Sequence, residues 1–359
     1  MLGVTQNYSN IIEQAKIYRK TAPNPEEMEA KTEALREGLA GLGSRSLLAL
    51  NIPQKWGNRE VTKLDYFCFQ EELARYSGTL AFTQSQHQTA GSFIANGDNE
   101  NLKFDYLPQM SCGQILVGVG YSHLRRQGKP SLEAIEVKGG YQLSGNIPWI
   151  TGLNLFQEAV IAAALGEESI LFALIPLQNI SSSSEGNLHF SAPMSLAAMQ
   201  STNTVSGSCD RYFIPYEKVV AIKPKEWMQE KDRQSILKAT ASILGSARSG
   251  LDIVENASKT QSFITDSFFA LDAKLNNCRQ KICTQIEQQN SSVEEQLELR
   301  AKAIALASQC SLAAVAVSRG KANQKYHPAQ RIYRETLIFT VTGQTNAVMA
   351  ATLKQIAGK

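Results

Sequence analysis

The sequence lacks the cysteine pairs, the long apolar runs and the targeting pattern that mark several classes of protein. Its six cysteines are scattered, and none forms a CxxC pair or another zinc-ligand spacing, so we expect buried reduced thiols and no metal site. No apolar run reaches the roughly 18 to 20 residues of a membrane helix. The first ten residues lack the basic and apolar regions of a signal peptide. These absences predict a cytoplasmic protein with no membrane span.

The charges of the chain are nearly balanced. Lysine and arginine number 36, aspartate and glutamate number 33, and the net charge is +3 with no long run of one sign. Nucleic-acid-binding proteins usually concentrate their basic residues on one face or helix, whereas here we find only the short pair Arg125 and Arg126. The sequence therefore predicts no nucleic-acid partner.

Several common enzyme motifs are also missing. The chain contains no GxxxxGK[ST], no GxGxxG and no HExxH, so a P-loop enzyme, a Rossmann dehydrogenase and a zinc protease have no motif support. Its 43% hydrophobic and 19% charged residues are typical of a globular protein. A chain of 359 residues exceeds the usual size of one growing core, which indicates two or three packed domains.

Three patterns of apolar and turn residues follow one another along the chain. Residues 1–112 repeat apolar side chains at helical spacing, with glycines as stop signals, and predict a helical N-terminal domain. Residues 113–223 consist of short β-branched segments between turn residues and predict an antiparallel β-barrel or sandwich. Residues 224–359 return to long amphipathic patterns and predict a four-helix bundle. The predicted fold class is α+β, mostly α.

Six segments, in the same order along the chain, resemble the acyl-CoA dehydrogenase family. The most specific is GYQLSGNIPWITG, which is similar to the family pattern gly-tyr-x-leu-x-gly-x-lys-x-trp-ile-thr. The others are weaker singly but keep the family's order. The six are EELARYSGTLA (71–81), LPQMSCGQILVGVGYS (107–122), GYQLSGNIPWITG (140–152), STNTVSGSCDRYFIPYEKVV (201–220), ATASILGSARSGLDIVENA (239–257) and YHPAQRIYRETLIFTVTGQT (326–345).

The resemblance implies a flavin site, with FAD as the cofactor. A flavin ring needs a flat apolar wall and a few hydrogen-bond donors, which a tryptophan followed by a threonine can supply. The alternative is a purely structural role, with a tryptophan in the core followed by an ordinary strand threonine. By resemblance, the residues that would contact the flavin are Tyr121 and Ser122 after the first strand, Trp149, Ile150 and Thr151 in the third segment, and Thr345 before the last helix.

The usual catalytic glutamate of the family is absent. An ungapped alignment on Thr340 and Thr345 places Gly343 at its position, and the alternative position on the first bundle helix is Ser235. The nearest acids before Ser235 are Glu230 and Asp232. A positioned base that removes a proton is commonly worth ~10²- to 10⁴-fold in rate, so a dehydrogenase that lacks this base should react slowly. The family's arginine motif for the flavin diphosphate is also missing, which leaves FMN or a reduced flavin as alternatives to FAD.

Three functions remain open at this point. The first is a flavin-dependent oxidoreductase that acts on the CH–CH group of an acyl thioester or a similar small molecule and passes electrons to an acceptor. The second is a two-component flavin monooxygenase, supplied by a flavin reductase, with His87 as its catalytic proton-transfer residue. His87 could equally be a polar helix histidine bonded to Gln84 or Gln88, or facing solvent. The third is a non-catalytic ligand-binding homologue. By resemblance, we expect a homodimer or homotetramer.

Overall fold

The first part of the chain is helical because its apolar residues recur at helical spacing and polar caps end each run. The computed structural model describes residues 4–56, 59–288 and 291–358. Thr62 and Asp65 form a capping box at the start of one helix, and Ser77 caps the next. The helices are α1 (Val4–Arg19), α2 (Pro25–Ala30), α3 (Thr32–Gly43), α4 (Lys63–Tyr76), α5 (Gly78–Ala95) and α6 (Glu100–Cys112).

The middle of the chain is one mixed sheet. Its strands are β1 (Val117–Gly120), β2 (Leu132–Val137), β3 (Gly140–Ile150), β4 (Glu158–Leu165), β5 (Ser169–Pro176), β6 (Ile180–Ser182), β7 (Gly186–Phe190), β8 (Val205–Pro215) and β9 (Val219–Pro224). The order is β6-β7-β8-β3-β2-β4-β5-β9, and β1 pairs with β4. The β1–β4 and β2–β4 pairs are parallel. The predicted β region is confirmed, but the sheet is not wholly antiparallel because long connections follow β1 and separate β2 from β4.

The C-terminal part is a helical bundle around one central helix. Ser292 and Glu295 form a capping box at the start of that helix, as the sequence indicates for Ser292. Gly245 lies where α8 crosses α4, and a Cβ atom there would come within 2.3 Å of the Glu71 carbonyl oxygen. The helices are α7 (Trp227–Gln234), α8 (Thr240–Ser258), α9 (Thr265–Gln288), α10 (Val293–Ser318), α11 (Pro328–Val341) and α12 (Asn346–Ile356). The expected fold class is confirmed; the domain limits themselves stay a prediction.

Two features differ from the expectations. By length and composition alone, the helical segment Val293–Asn323 could cross a membrane, although no such stretch was expected. A buried core helix passes the same test, and α10 packs against α8, α9, α11 and α12. Four of the six cysteines are buried and Cys283 is partly buried, as expected, but Cys112 is exposed.

A buried ion cluster joins the bundle to the N-terminal helices. The Glu335 carboxylate accepts hydrogen bonds from the backbone N–H groups of Gly78 and Thr79 at 3.2 and 2.9 Å, at the start of α5. The Arg331 guanidinium donates to Glu335 at 2.6 Å and to Glu26 at 2.9 Å. A helix N-terminus favours a negative charge, so Glu335 stabilises α5 and fixes α11 against it.

The substitution Glu335→Ala should lower the free energy of unfolding by about 3 to 5 kcal/mol, the usual cost of removing one partner from a buried ion pair. It would leave the N–H groups at the start of α5 without their acceptor, and the buried Arg331 would lose one of its two carboxylate partners, keeping Glu26. Urea unfolding followed by circular dichroism measures the change. Glu298→Ala, at an exposed position on α10, is the matched control and should change stability little. Equal losses in the two variants would contradict this role.

Candidate active site

A cavity of about 540 Å³ lies where the three parts of the chain meet. Side chains from α4 and α5, from the sheet and its loops, and from α7, α8, α10, α11 and α12 line it. Its volume is within the usual range of about 300 to 1,000 Å³ for sites of small molecules and cofactors. Because no single domain encloses it, the packing of the three parts creates the cavity.

The end of β3 forms one wall of this cavity. Side chains alternate between the two faces of a strand, so Trp149 and Thr151 line the cavity while Ile150 between them points away. Trp149 is 45% exposed, whereas Ile150 is fully buried beside Gly120. Of the three residues expected there, the structure therefore brings two to the cavity, and Ile150 packs behind the wall.

Hydroxyl groups lie beside the indole ring of Trp149 in the cavity lining. The Thr151 and Thr202 hydroxyls each lie 3.1 Å from the Thr204 hydroxyl, and all three threonines line the cavity. Tyr121 and Ser122, which follow β1, also line it. This wall therefore combines an uncovered aromatic face with polar groups that can donate or accept hydrogen bonds.

The loop between α11 and α12 forms the C-terminal wall. Thr345 caps α12 by accepting a hydrogen bond from the Val348 N–H, and Gly343 adopts a left-handed backbone with φ of +62°. The Arg300 guanidinium donates to the carbonyl oxygens of Thr342 and Gly343 at 2.7 and 3.1 Å. A Cβ atom on Gly343 would lie 3.5 Å from Arg300 Nη2. A guanidinium therefore lies beside Gly343, the residue that the ungapped alignment places at the position of the family's usual glutamate.

Asp232 places a carboxylate in the lining of this cavity. Of the described residues that line the cavity it is the one acidic side chain, and it accepts two hydrogen bonds from Arg125 at 2.9 and 2.7 Å. Ser235 lines the cavity as well but carries no carboxylate. Glu230 is absent from the lining and contacts Gln234 and Arg233 instead.

Comparison with known proteins matches this chain to one family. The family model described as "Acyl-CoA dehydrogenase, N-terminal domain" matches residues 14–114. Isovaleryl-CoA dehydrogenase, mitochondrial, of Solanum tuberosum is 25% identical over 190 residues, which are 50% of this chain and 44% of that relative. An acyl-CoA dehydrogenase of Bacillus subtilis (strain 168) is 25% identical over 137 residues, 37% of this chain and 36% of the relative. The family-model match and the curated relatives, each over part of the chain, support an acyl-CoA dehydrogenase-family protein.

Solved structures of the acyl-CoA dehydrogenase family share the whole fold. The structure of butyryl-CoA dehydrogenase from Megasphaera elsdenii superposes with a TM-score of 0.80 at 16% identity and covers 99% of this chain and 100% of that chain. A glutaryl-coenzyme A dehydrogenase in complex with glutaryl-CoA gives 0.80 at 14% identity and covers 100% and 97%. The curated relatives, in contrast, are matched over less than half of their length.

The residues that line this cavity fit a flavin ring. The Trp149 indole is flat, apolar and uncovered toward the cavity, and the Thr151 hydroxyl and the Tyr121 and Ser122 side chains surround the same space. Thr345 completes the group from the other wall. Five of the six residues expected to contact a flavin thus line one cavity, and these five would hold the ring by stacking and hydrogen bonds.

His87 lies outside this cavity. Phe82, Ser85, Gln86 and Thr89 form the face of α5 that lines it, at the spacing of one helix side, and His87 falls off that face. Its Nδ1 accepts a hydrogen bond from the Val117 N–H at 3.0 Å. The proton is therefore on Nε2, which donates to the Met110 carbonyl oxygen at 3.0 Å. Burial lowers the pKa of His87 to about 4, so the ring is neutral and joins α5 to α6 and β1.

Sequence reasoning missed three basic residues of the lining: Lys231, Lys238 and Arg300. Arg300 offered a signal, because it is a charged residue at the start of the alanine-rich, apolar part of α10. A charge at a buried helix position needs partners, and such positions are often functional. The two lysines offered none, since their polar surroundings in the sequence resemble an exposed helix.

The substitution His87→Ala should destabilise the protein because the Val117 N–H and the Met110 carbonyl would lose their partner, at roughly 1 to 3 kcal/mol for each buried group. Stability of the unchanged protein should also fall as the pH drops from about 6.5 to about 4, since only the unfolded histidine takes up a proton in that range. Urea unfolding between pH 4 and 8 measures both effects.

His189→Ala is the matched control for His87→Ala, because His189 is exposed on β7. It should keep the full stability and the pH slope of the unchanged protein, whereas His87→Ala should have a shallower slope. If His87→Ala is as stable as the control but has lost turnover, the structural role is wrong and the catalytic one expected from the sequence is favoured.

Proposed function

We propose that this protein is a flavin-dependent oxidoreductase that acts on the CH–CH group of an acyl thioester or a similar small molecule. The observation that carries the proposal is the convergence of Tyr121, Ser122, Trp149, Thr151 and Thr345 on one cavity of suitable size. Family membership and the shared fold support a flavin-linked acyl-CoA oxidoreductase at the level of the family. The thioester and the position of its oxidised bond are our proposal for this chain.

In this reaction a bound flavin would accept a hydride from the β-carbon of the substrate, and a base must take the α-proton. We assign the base to Asp232, because Gly343 and Ser235 carry no carboxylate and Asp232 alone supplies one among the described lining residues. The two hydrogen bonds from Arg125 hold its carboxylate in a fixed orientation. Trp149, Phe82 and Val119 add apolar surface to the same cavity.

We propose FAD as the cofactor, an electron-transfer protein as the acceptor and the cytoplasm as the location. FMN or a reduced flavin remains the alternative for a chain without the diphosphate arginine motif. A homodimer or homotetramer is proposed as well. It is supported by apolar side chains that α11 and α12 expose, namely Leu337, Val341, Met349, Leu353 and Ile356.

Flavin binding should depend on Trp149. The substitution Trp149→Ala removes the aromatic wall and should raise the Kd of the flavin about tenfold, in line with the contribution of an aromatic stacking contact and the area that it buries. Titration of the apoprotein with FAD and with FMN, followed by flavin fluorescence, gives both constants.

Phe104→Ala is the control for Trp149→Ala, since Phe104 is 73% exposed and lies outside the cavity lining. It should bind flavin as the unchanged protein does. Absence of a flavin absorption band in the purified protein, with no binding of either flavin in titration, would sink the proposal and favour a non-catalytic homologue.

Substrate oxidation should depend on Asp232. Mixed anaerobically with a panel of acyl-CoA thioesters, the flavin-loaded protein should bleach with at least one of them. Asp232→Asn should slow that bleaching by about 10²- to 10⁴-fold, the usual worth of a positioned base, while the flavin stays bound. Glu230→Gln, two residues earlier and outside the cavity lining, should bleach at the original rate. Unchanged bleaching in Asp232→Asn would assign the base elsewhere.

A two-component flavin monooxygenase is the second candidate, and Arg300 is the observation that favours it. This side chain places a guanidinium, and no carboxylate, beside Gly343. Oxygen chemistry on reduced flavin needs no base for an α-proton. Reduced flavin supplied by a reductase, with oxygen and the substrate panel, should then give a product one oxygen atom heavier by mass spectrometry. Bleaching by a thioester without oxygen insertion would favour the oxidoreductase instead.

A further inference from the structure

Four basic side chains line the cavity: Arg125, Lys231, Lys238 and Arg300. Arg125 is paired with Asp232, and we call the other three the cationic wall. Among the described residues none of the three has a carboxylate within the 4.0 Å of an ion pair. The cavity's carboxylate, Asp232, is engaged by Arg125 through both of its oxygen atoms. The cationic wall therefore carries positive charge that the cavity's own side chains do not neutralise.

Arg300 is the most deeply buried member of the cationic wall, with 3% of its surface exposed. Its guanidinium donates to the carbonyl oxygens of Ile236, Thr342 and Gly343, which are neutral partners. Its Nε has no hydrogen-bond partner. Burial lowers the pKa of this side chain to about 10, which leaves it charged at neutral pH. A buried charge of this kind is costly unless an anion approaches it.

Lys231 is held by aromatic rings. Its Nζ lies 3.8, 4.5 and 4.9 Å from the ring centroids of Phe93, Trp227 and Tyr121. These ring faces attract a cation and fix its position. Burial, followed by repulsion from Lys238 and Arg125, lowers the pKa of Lys231 to about 7.

Lys238 differs from the other two because its side chain is free to reach a ligand. Within the described part of the chain it makes no side-chain hydrogen bond or ion pair that would hold it to the protein, and its surface is accessible. Burial nevertheless lowers its pKa. Both observations agree if the accessible surface faces the cavity instead of bulk water, and Lys238 does line the cavity.

We propose that the cationic wall binds an anionic group on the substrate, so that the preferred substrate is an acyl thioester whose acyl chain ends in a carboxylate or another acid. This rests on the thioester proposed above. An ionised acid near Lys231, Lys238 and the Nε of Arg300 would supply the missing negative charge and a hydrogen-bond acceptor in one group. Affinity would then come from charge-assisted hydrogen bonds, which exceed neutral ones about twofold in strength.

The test compares two CoA thioesters of equal chain length, pentanoyl-CoA and glutaryl-CoA, which differ in the terminal carboxylate. Binding to the flavin-loaded protein is measured by isothermal titration calorimetry, without turnover. Glutaryl-CoA should bind at least about tenfold more tightly, as expected for charge-assisted hydrogen bonds. In Lys238→Gln most of this preference should disappear, while the Kd of pentanoyl-CoA stays unchanged.

Lys274→Gln is the matched control, because it removes the same charge from an exposed position on α9 outside the cavity. It should keep the tenfold preference. Equal affinity of the unchanged protein for the two thioesters would overturn the proposal, as would an equal loss of preference in both variants. Lys238→Gln removes no contact within the fold, so its melting temperature should match that of the control.

Two further titrations distinguish a failure of this proposal from a failure of the thioester function on which it rests. The first titration measures thermal unfolding with free glutarate. If glutarate stabilises the unchanged protein but not Lys238→Gln, the cationic wall binds an acid. This result would support the wall even if no thioester binds, and only the thioester function would then fail. Riboflavin and FMN are then compared in both proteins. FMN could bind more tightly than riboflavin in the unchanged protein but not in Lys238→Gln. In that case the cationic wall holds the cofactor phosphate, and the substrate proposal is overturned.

Discussion

The buried carboxylate of Glu335 joins the two helical parts of this molecule. It accepts hydrogen bonds from the start of α5 and an ion pair from Arg331, so α11 has one position against the N-terminal helices. Gly78 is required for this contact, since a Cβ atom there would lie 2.8 Å from the carboxylate. Because the loop that carries Gly343 and Thr345 follows α11 directly, this cluster also sets one wall of the cavity.

The cavity brings together most of the residues expected to contact a flavin, and it also contains an unexpected positive charge. Trp149 and Thr151 occupy the expected wall, whereas Arg300 lies beside the glycine that replaces the glutamate. A positive charge there cannot take a proton from carbon, but it can hold an anion. In the proposed reaction the base therefore comes from another element, and α7 carries both Asp232 and Lys231.

Much of the fold could be predicted because local rules and tertiary packing agree. Ser292 begins α10 through its capping box, and Gly245 permits the close crossing of α4 and α8. Trp149 and Thr151 were predictable as a pair because a strand presents alternate residues to one side. The same rule excludes Ile150 from the cavity. His87 was harder, since the pattern of α5 shows which face is polar but not that β1 and α6 cover His87.

The sequence by itself determined the order of helical and β regions, the helix caps, the resemblance to its family and the loss of the usual glutamate. These are local properties, because spacing, caps and single residue types act within a few positions. Only the tertiary structure decided that Lys231, Lys238 and Arg300 share one cavity and that His87 lies outside it. The reason is physical: residues that are distant in sequence, such as His87 and Val117 or Lys238 and Arg300, come together only after the chain has packed, so their charges and burial cannot be read along it.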